Sequence, residues 1–288
     1  MSGIRYLGGM KLPVTLLLAV ASIPAWSQKA APDTSADCVT NWRKSESKVY
    51  SIVHEKTTVG PDIPGKHFSF SYEANITVLD STAEDYTIKW VLHVPENVNK
   101  ELIGIQQLPV FEGMQMIFKI SSVGTFVELI NWEEVRDGYV QLMELSMPKK
   151  KDSVLTGALD KAKSLFGTKE SVEAALIKEI QLFHLPYGYK FTTRKVSENT
   201  QLSNPLGGDP LPALQTYQIT ELDRRQDRFT LSFRQELDKS SFDKLVVSDT
   251  SEYQFILSSG WIRRLYYLRT AGSAALKQSD AYTITLKD

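Results

Sequence analysis

From His67 onward the chain alternates polar and apolar residues without a break. Phe68, Phe70, Tyr72, Ala74, Ile76 and Val78 share one parity, and His67, Ser69, Ser71, Glu73, Asn75 and Thr77 share the other. Successive side chains of a strand point to opposite faces, so this run predicts a long strand with one apolar and one solvated face. Tyr86, Ile88, Trp90, Leu92 and Val94 repeat the pattern against Thr87, Lys89 and His93, which predicts an antiparallel partner.

The same stretch comes back later in the chain. Residues 76–90 and 219–233 align without a gap, with five of fifteen positions identical, and each copy reads as a strand, a polar turn carrying Asp80 or Asp223, and a second strand with aromatics on one side. A second echo follows in the same order. Residues 115–121 lead through Ser122-Val123-Gly124 into 125–130, and residues 253–257 lead through Ser258-Ser259-Gly260 into 261–268. Two echoes in one order predict a sheet built as two duplicated halves.

Between the halves the period changes. Asn131 followed by Glu134 resembles a capping box, and Trp132, Val135, Tyr139 and Leu142 share one face of a helix that ends before Pro148. Leu155, Leu159, Leu165 and Phe166 mark a second helix over 153–166, closed by Gly167. Thr168 caps a third, in which Val172, Ala175, Leu176, Ile180 and Phe183 line up before Leu185-Pro186 stops it. Strands are predicted on either side of this block at 49–53, 189–196, 216–222, 229–237 and 282–286, with irregular loops at 60–65 and 203–212. The predicted fold class is α+β: one domain over 48–288, comprising a first half-sheet (48–130), a helical insertion (131–184) and a second half-sheet (185–288).

The first residues belong to processing rather than to the fold. Arg5 and Lys11 precede the apolar run 12–23, and Ala25-Trp26-Ser27 offers small residues where a signal peptidase needs them, so cleavage is expected between Ser27 and Gln28, with Met10 a possible true start. The apolar run is short of the ~20 residues that span a bilayer. Residues 28–47 are polar and small, which suits a flexible leader with at most a short helix over 39–43. Cys38 is the only cysteine, so no intrachain disulfide forms, and Ser35-Ala36-Asp37 before it is not a lipoprotein signal. The expected location is the periplasm or the exterior.

Composition narrows the function classes. The 288 residues carry a net charge of −1 with 42% apolar residues, which is ordinary globular composition and lacks the basic character of a nucleic-acid binder. No catalytic residue, metal ligand or cofactor motif is expected. The four histidines, His54, His67, His93 and His184, have no second ligand at metal spacing. No Gly-x-Ser-x-Gly occurs, and Leu206-Gly207-Gly208-Asp209 lacks the Lys-Ser/Thr of a phosphate loop. Glu133, Glu134 and Asp137 suit a helix start, Asp80 and Asp223 suit turns, and Arg263-Arg264 with Lys149 to Lys151 suit a solvated surface.

What remains is an aromatic excess on the apolar parity of the strands. A wide twisted sheet covered by few helices can leave a cavity at its mouth, and Phe70, Tyr72, Trp90, Phe118, Phe233 and Phe255 are the candidate lining for an apolar ligand. Taken with the export signal, the inserted helices and the Gly124 and Gly260 hairpins, the plan resembles the half-barrel proteins of the bacterial periplasm that carry lipoproteins or lipids, and uncharacterised exported proteins of that plan. That resemblance implies a non-enzymatic protein binding an apolar or amphipathic ligand such as a lipid. An envelope structural or interaction protein with an envelope protein partner and no small-molecule ligand is the alternative, and an enzyme of unrecognised type the third class.

Overall fold

The computed structural model describes residues 34–60, 63–94, 112–146, 157, 160, 163–164, 166–205, 208–238, 245–273 and 275–287. The fold is α+β. Eleven strands form one large, curved, unclosed antiparallel sheet, and a separate two-stranded ribbon joins β1 (Ser35–Asp37) to β7 (Lys190–Thr192). The large sheet begins with β2 (Ser47–Gly60), β3 (Ile63–Ser81), β4 (Asp85–His93), β5 (Gln115–Ser121) and β6 (Phe126–Leu129). After the helical block it resumes with β8 (Val196–Leu202), β9 (Leu211–Asp223), β10 (Arg228–Leu237), β11 (Leu245–Ile256), β12 (Ile262–Ser273) and β13 (Lys277–Leu286). Its order is β6-β5-β4-β3-β2-β13-β12-β11-β10-β9-β8, so the first and last long strands pair at the centre, Ile52 opposite Ile284.

The alternation dictates which face is covered. Tyr72, Ala74, Ile76 and Val78 of β3, Ile88 and Trp90 of β4, and Phe118 and Ile120 of β5 are all buried, while their odd-parity neighbours face outward. The helical block α1 (Trp132–Ser146), α2 (Lys169–Leu176) and α3 (Lys178–His184) leaves the sheet at β6 and returns the chain to β7. Phe183 of α3 packs its ring edge-on against Tyr50 and Trp90, at centroid distances of 5.3 and 5.8 Å, which ties the helices to the sheet centre.

Several expectations change in the structure. The expected leader is ordered from Thr34 onward: Ala36, Cys38, Thr40 and Trp42 are buried, and Val39 to Arg43 is not helical. The backbone supplies the reason, since Cys38 N–H donates to Tyr189 O, Gly188 N–H to Cys38 O and Asn41 N–H to Ser259 O, at 2.8–3.1 Å. Cys38 is therefore a core thiol whose ionisation burial, then Asp37, pushes well up. The 60–65 loop is a hairpin end in which Gly60 pairs with Ile63. The 189–196 strand is two short strands, and β8 runs on to Leu202.

The third helix divides at Ile177 (φ −120°, ψ 31°), which is buried. A straight helix would set Ile177 roughly 140° round the axis from Val172, so the break lets both reach the core. Thr168 does cap α2 through Ser171 N–H at 3.3 Å. Asn131 donates from Nδ2 to Glu134 Oε2 at 3.0 Å and to Gln115 O, but its Oδ1 accepts from Ile117 N–H of the sheet at 2.8 Å and not from the helix, so the pair is not a full capping box. Of the expected 153–166 helix, Gly157, Asp160, Lys163 and Ser164 are helical and Phe166 is a turn, while Leu155, Leu159 and Leu165 lie outside the described residues, as do residues 1–33, 95–111 and 147–151.

The echoed hairpins keep their order but not their register. Ile76 faces Trp90, whereas Ile219 faces Leu231 and Phe233 faces Tyr217. The two-residue offset is already present at the turns, where Tyr86 faces Ser81 but the aligned Phe229 faces Leu222, and the single bulge in each copy, between Val78 and Asp80 and beside Thr230 and Leu231, leaves it unchanged. Asp223 organises its turn, accepting from the N–H groups of Arg225 and Gln226 at 2.9 and 3.0 Å. Asp80 instead pairs with Lys44, and Thr82 organises the β3–β4 turn.

Candidate functional site

Cross-strand pairing arranges the inner face of the sheet in ranks. One rank is charged: Asp249 faces Arg269, Arg269 faces Asp280, and Asp280 faces Lys56. Two residues further along the strands comes an aromatic rank, Tyr267, Tyr282, His54 and Phe70. The next is apolar, with Leu265, Ile284 and Ile52 leading to Tyr72. The period of two forces this stepwise change, because every second residue of each strand lands on the same face.

Over the middle of these ranks lies a cavity of ≈ 350 Å³, bounded by the inner faces of β2–β5 and β13 and by α1, α2 and α3. Its apolar wall includes Phe68, Phe70, Trp90, Leu92, Met116 and Leu176. Its polar end is built from His54, Lys56, Lys178, Glu179 and Asp280. Such a lining, mostly apolar with a few convergent polar groups, is what small-molecule sites have, at the lower end of their ~300–1,000 Å³ range.

The polar end is a bonded network. His54 Nε2–H donates to Asp280 Oδ1 at 2.6 Å, and Lys178 Nζ donates to Asp280 Oδ2 at 2.7 Å. Burial alone would raise Asp280, but these two donors and their charges hold its carboxyl well below the usual range. Tyr282 stacks on the His54 ring at 4.1 Å, and the Lys178 ammonium sits over the rings of Tyr267 and Tyr282 at 5.1 and 5.2 Å. Glu179 points the other way, accepting from Tyr72 OH at 3.1 Å. Burial raises its pKa against the opposing pull of these hydrogen bonds and of His54 and Lys178, and what surface it keeps opens into the cavity.

His54 and Asp280 would be two members of a hydrolytic triad. Among the described residues no serine, threonine or cysteine hydrogen-bonds to His54. Nor do three or more His, Cys, Asp or Glu residues come together in a metal-holding group, and no helix is long and apolar enough to cross a membrane, again among the described residues.

The structure separates the six expected lining residues. Phe70, Tyr72 and Trp90 line the cavity. Phe118 and Phe255 are closed core: Phe118 meets His184 and Phe126, and Phe255 stacks on Phe229 at 4.7 Å with Tyr187 against it. Phe233 is half-buried opposite Tyr217 on β9, away from the cavity. Around Phe118 and Phe255 the space is taken by His184 and Tyr187, against which Trp42 of the ordered N-terminal segment packs.

Sequence reasoning missed His54, Lys56, Lys178, Glu179, Asp280 and Tyr282. A signal existed for β2, where Tyr50, Ile52, His54 and Lys56 share one parity, but the expected strand stopped at Val53. In β13 the expected strand began only at Tyr282, two residues after Asp280 on the same parity. Nothing local marks Lys178 or Glu179, because their role depends on the break at Ile177.

No family model matches the chain. Comparison with curated proteins likewise finds no match. Among solved structures, the crystal structure of Rv2717c from M. tuberculosis is similar over 83% of this chain and 91% of that chain, at 8% identity and a TM-score of 0.22. A likeness of that size carries no argument.

Proposed function

We propose that the protein is an exported, non-enzymatic binding protein that holds an apolar or amphipathic molecule, such as a lipid, in the cavity beneath its helices. The observation that carries this reading is the cavity's polarity: Phe70, Trp90 and Leu92 form a wall that water wets poorly, and the His54–Asp280–Lys178 network supplies the polar end. The apolar run 12–23 followed by Ala25-Trp26-Ser27 supports export, with the mature chain starting at Gln28.

Native mass spectrometry of the mature protein purified from its own host tests both parts. The expected spectrum shows a chain beginning at or near Gln28 and a second species carrying a lipid-sized adduct released by organic solvent. A bare chain under all gentle conditions counts against the binding reading.

A second reading, an envelope interaction protein, is favoured by one observation. Val123, Val127 and Ile130 are exposed along and beside the edge strand β6, Val127 by 55%. Cross-linking of the exported protein in intact cells through Val127→Cys would capture a protein partner there on that reading, and none on the first.

A further inference from the structure

We propose, granting that the cavity is a ligand site, that it selects a single-chain amphiphile with an anionic headgroup, which Lys56 holds at the mouth. The charged rank sets the sign. Asp249 Oδ2 is taken by Arg269 Nη1 at 3.2 Å, and Asp280 is taken by both His54 and Lys178. Lys56 faces Asp280 across the β2–β13 ladder, yet that carboxylate is already engaged, and Lys56 has no acidic partner among the described residues. Lys56 is exposed and lines the cavity, at a polar end that gathers two lysines and a histidine with Asp280 and Glu179. Lys178 is bonded to a carboxylate and Lys56 is not, among the described residues, so the charge of Lys56 is open to a headgroup.

Glu179 is not bonded to Lys56 either. Its hydrogen bond goes to Tyr72, two ranks further in than Lys56, on the order of 13 Å along the strands. The volume sets the chain number. The ≈ 350 Å³ lies at the lower end of the ~300–1,000 Å³ of small-molecule sites, which suits one acyl chain rather than two.

The test compares three probes of equal chain length, dodecanoate, dodecanol and dodecyltrimethylammonium, each below its micellar concentration, titrated into the mature protein and into Lys56→Glu by calorimetry. Lys56 is exposed and unpaired, so the variant should keep its melting temperature. The wild type should bind dodecanoate at least about tenfold more tightly than the cationic probe, as a charge-assisted contact provides. Lys56→Glu should reverse that order while moving dodecanol by less than about twofold. An unchanged preference in Lys56→Glu, or a wild type that prefers the cation, overturns the proposal. Equal binding of all three probes overturns anion selection but leaves the ligand-site reading standing. Failure of all three to bind overturns both.

Discussion

Trp42 and Trp261 stack face to face, with ring centroids 3.9 Å apart and planes 11° apart. One comes from the segment before the sheet and the other from the first residue after the Gly260 turn. Trp261 donates Nε1–H to Glu46 at 2.8 Å, while Trp42 Nε1 has no partner among the described residues. The stack adds to the backbone hydrogen bonds of Cys38, Gly188 and Asn41 in holding the N-terminal segment against the sheet.

Trp42→Ala should therefore cost about 3–5 kcal/mol, the range for a close-packed aromatic. Urea unfolding of wild type and variant measures it. A loss below about 1 kcal/mol, as expected for truncation in a flexible leader, would show the segment to be dispensable.

The turn glycines Gly124 and Gly260 both lie against this segment, at Thr40 and Val39. Gly260 has φ +72° and a Cβ there would lie 1.9 Å from Val39 O, whereas Gly113 has φ +75° with nothing within 4 Å. Gly113→Ala should cost only the left-handed penalty of about 1–2 kcal/mol. Gly260→Ala should cost clearly more, since the Val39 backbone must move as well. Equal melting temperatures for the two variants would contradict the close crossing.

His184 donates from Nδ1 to Gly124 O at 2.8 Å, and its Nε2 is buried among aromatic rings without a partner among the described residues. Burial lowers its pKa to about 4, despite the opposing hydrogen bond. The unfolded chain, with a histidine pKa of about 6.5, then binds more protons than the folded one between those values. His184's contribution is complete above pH 6.5 and lost as pH falls toward 4, by up to roughly 1.4 kcal/mol per pH unit. Urea melts at pH 7 and pH 5 should show a larger acid loss in wild type than in His184→Gln. An equal loss in both would place the acid sensitivity elsewhere.

Much of the fold was legible because a period of two is a strong constraint: the β3–β4 hairpin, the helical block and the return to strands all follow from where Phe70, Trp90, Val172 and Phe229 fall. The N-terminal segment was not legible. Ser35-Ala36-Asp37-Cys38 reads as a polar leader, and its burial depends on the Gly124 and Gly260 turns, which are distant in sequence. The candidate site was half legible, since Phe70, Tyr72 and Trp90 follow from parity. Its polar end was not, because His54, Lys178 and Asp280 meet only through the closure of β2 on β13. The equivalence of Trp90 and Phe233 failed because the two turns set registers two residues apart, with Tyr86 facing Ser81 but Phe229 facing Leu222.

That difference gives a further contrast. Phe255→Ala removes a ring packed on Phe229 and Tyr187 and should cost about 3–5 kcal/mol. Phe70 is half-buried and borders the cavity, so its partner atoms are already missing on one side. Phe70→Ala should lose less than about 2 kcal/mol, below the core-aromatic range, while weakening uptake of an apolar dye. Similar losses in both variants would mark the Phe70 environment as solid core.

The most direct measurement fills the cavity instead of emptying it. Ala175 lines the cavity from α2 and is itself exposed, so Ala175→Trp adds bulk there without removing a core side chain. Dodecanoate titrated into wild type, followed by tryptophan fluorescence, should saturate at one molecule per chain, and Ala175→Trp, with its melting temperature unchanged, should bind at least about tenfold more weakly. Equal affinity in the two proteins would contradict a ligand held in this cavity.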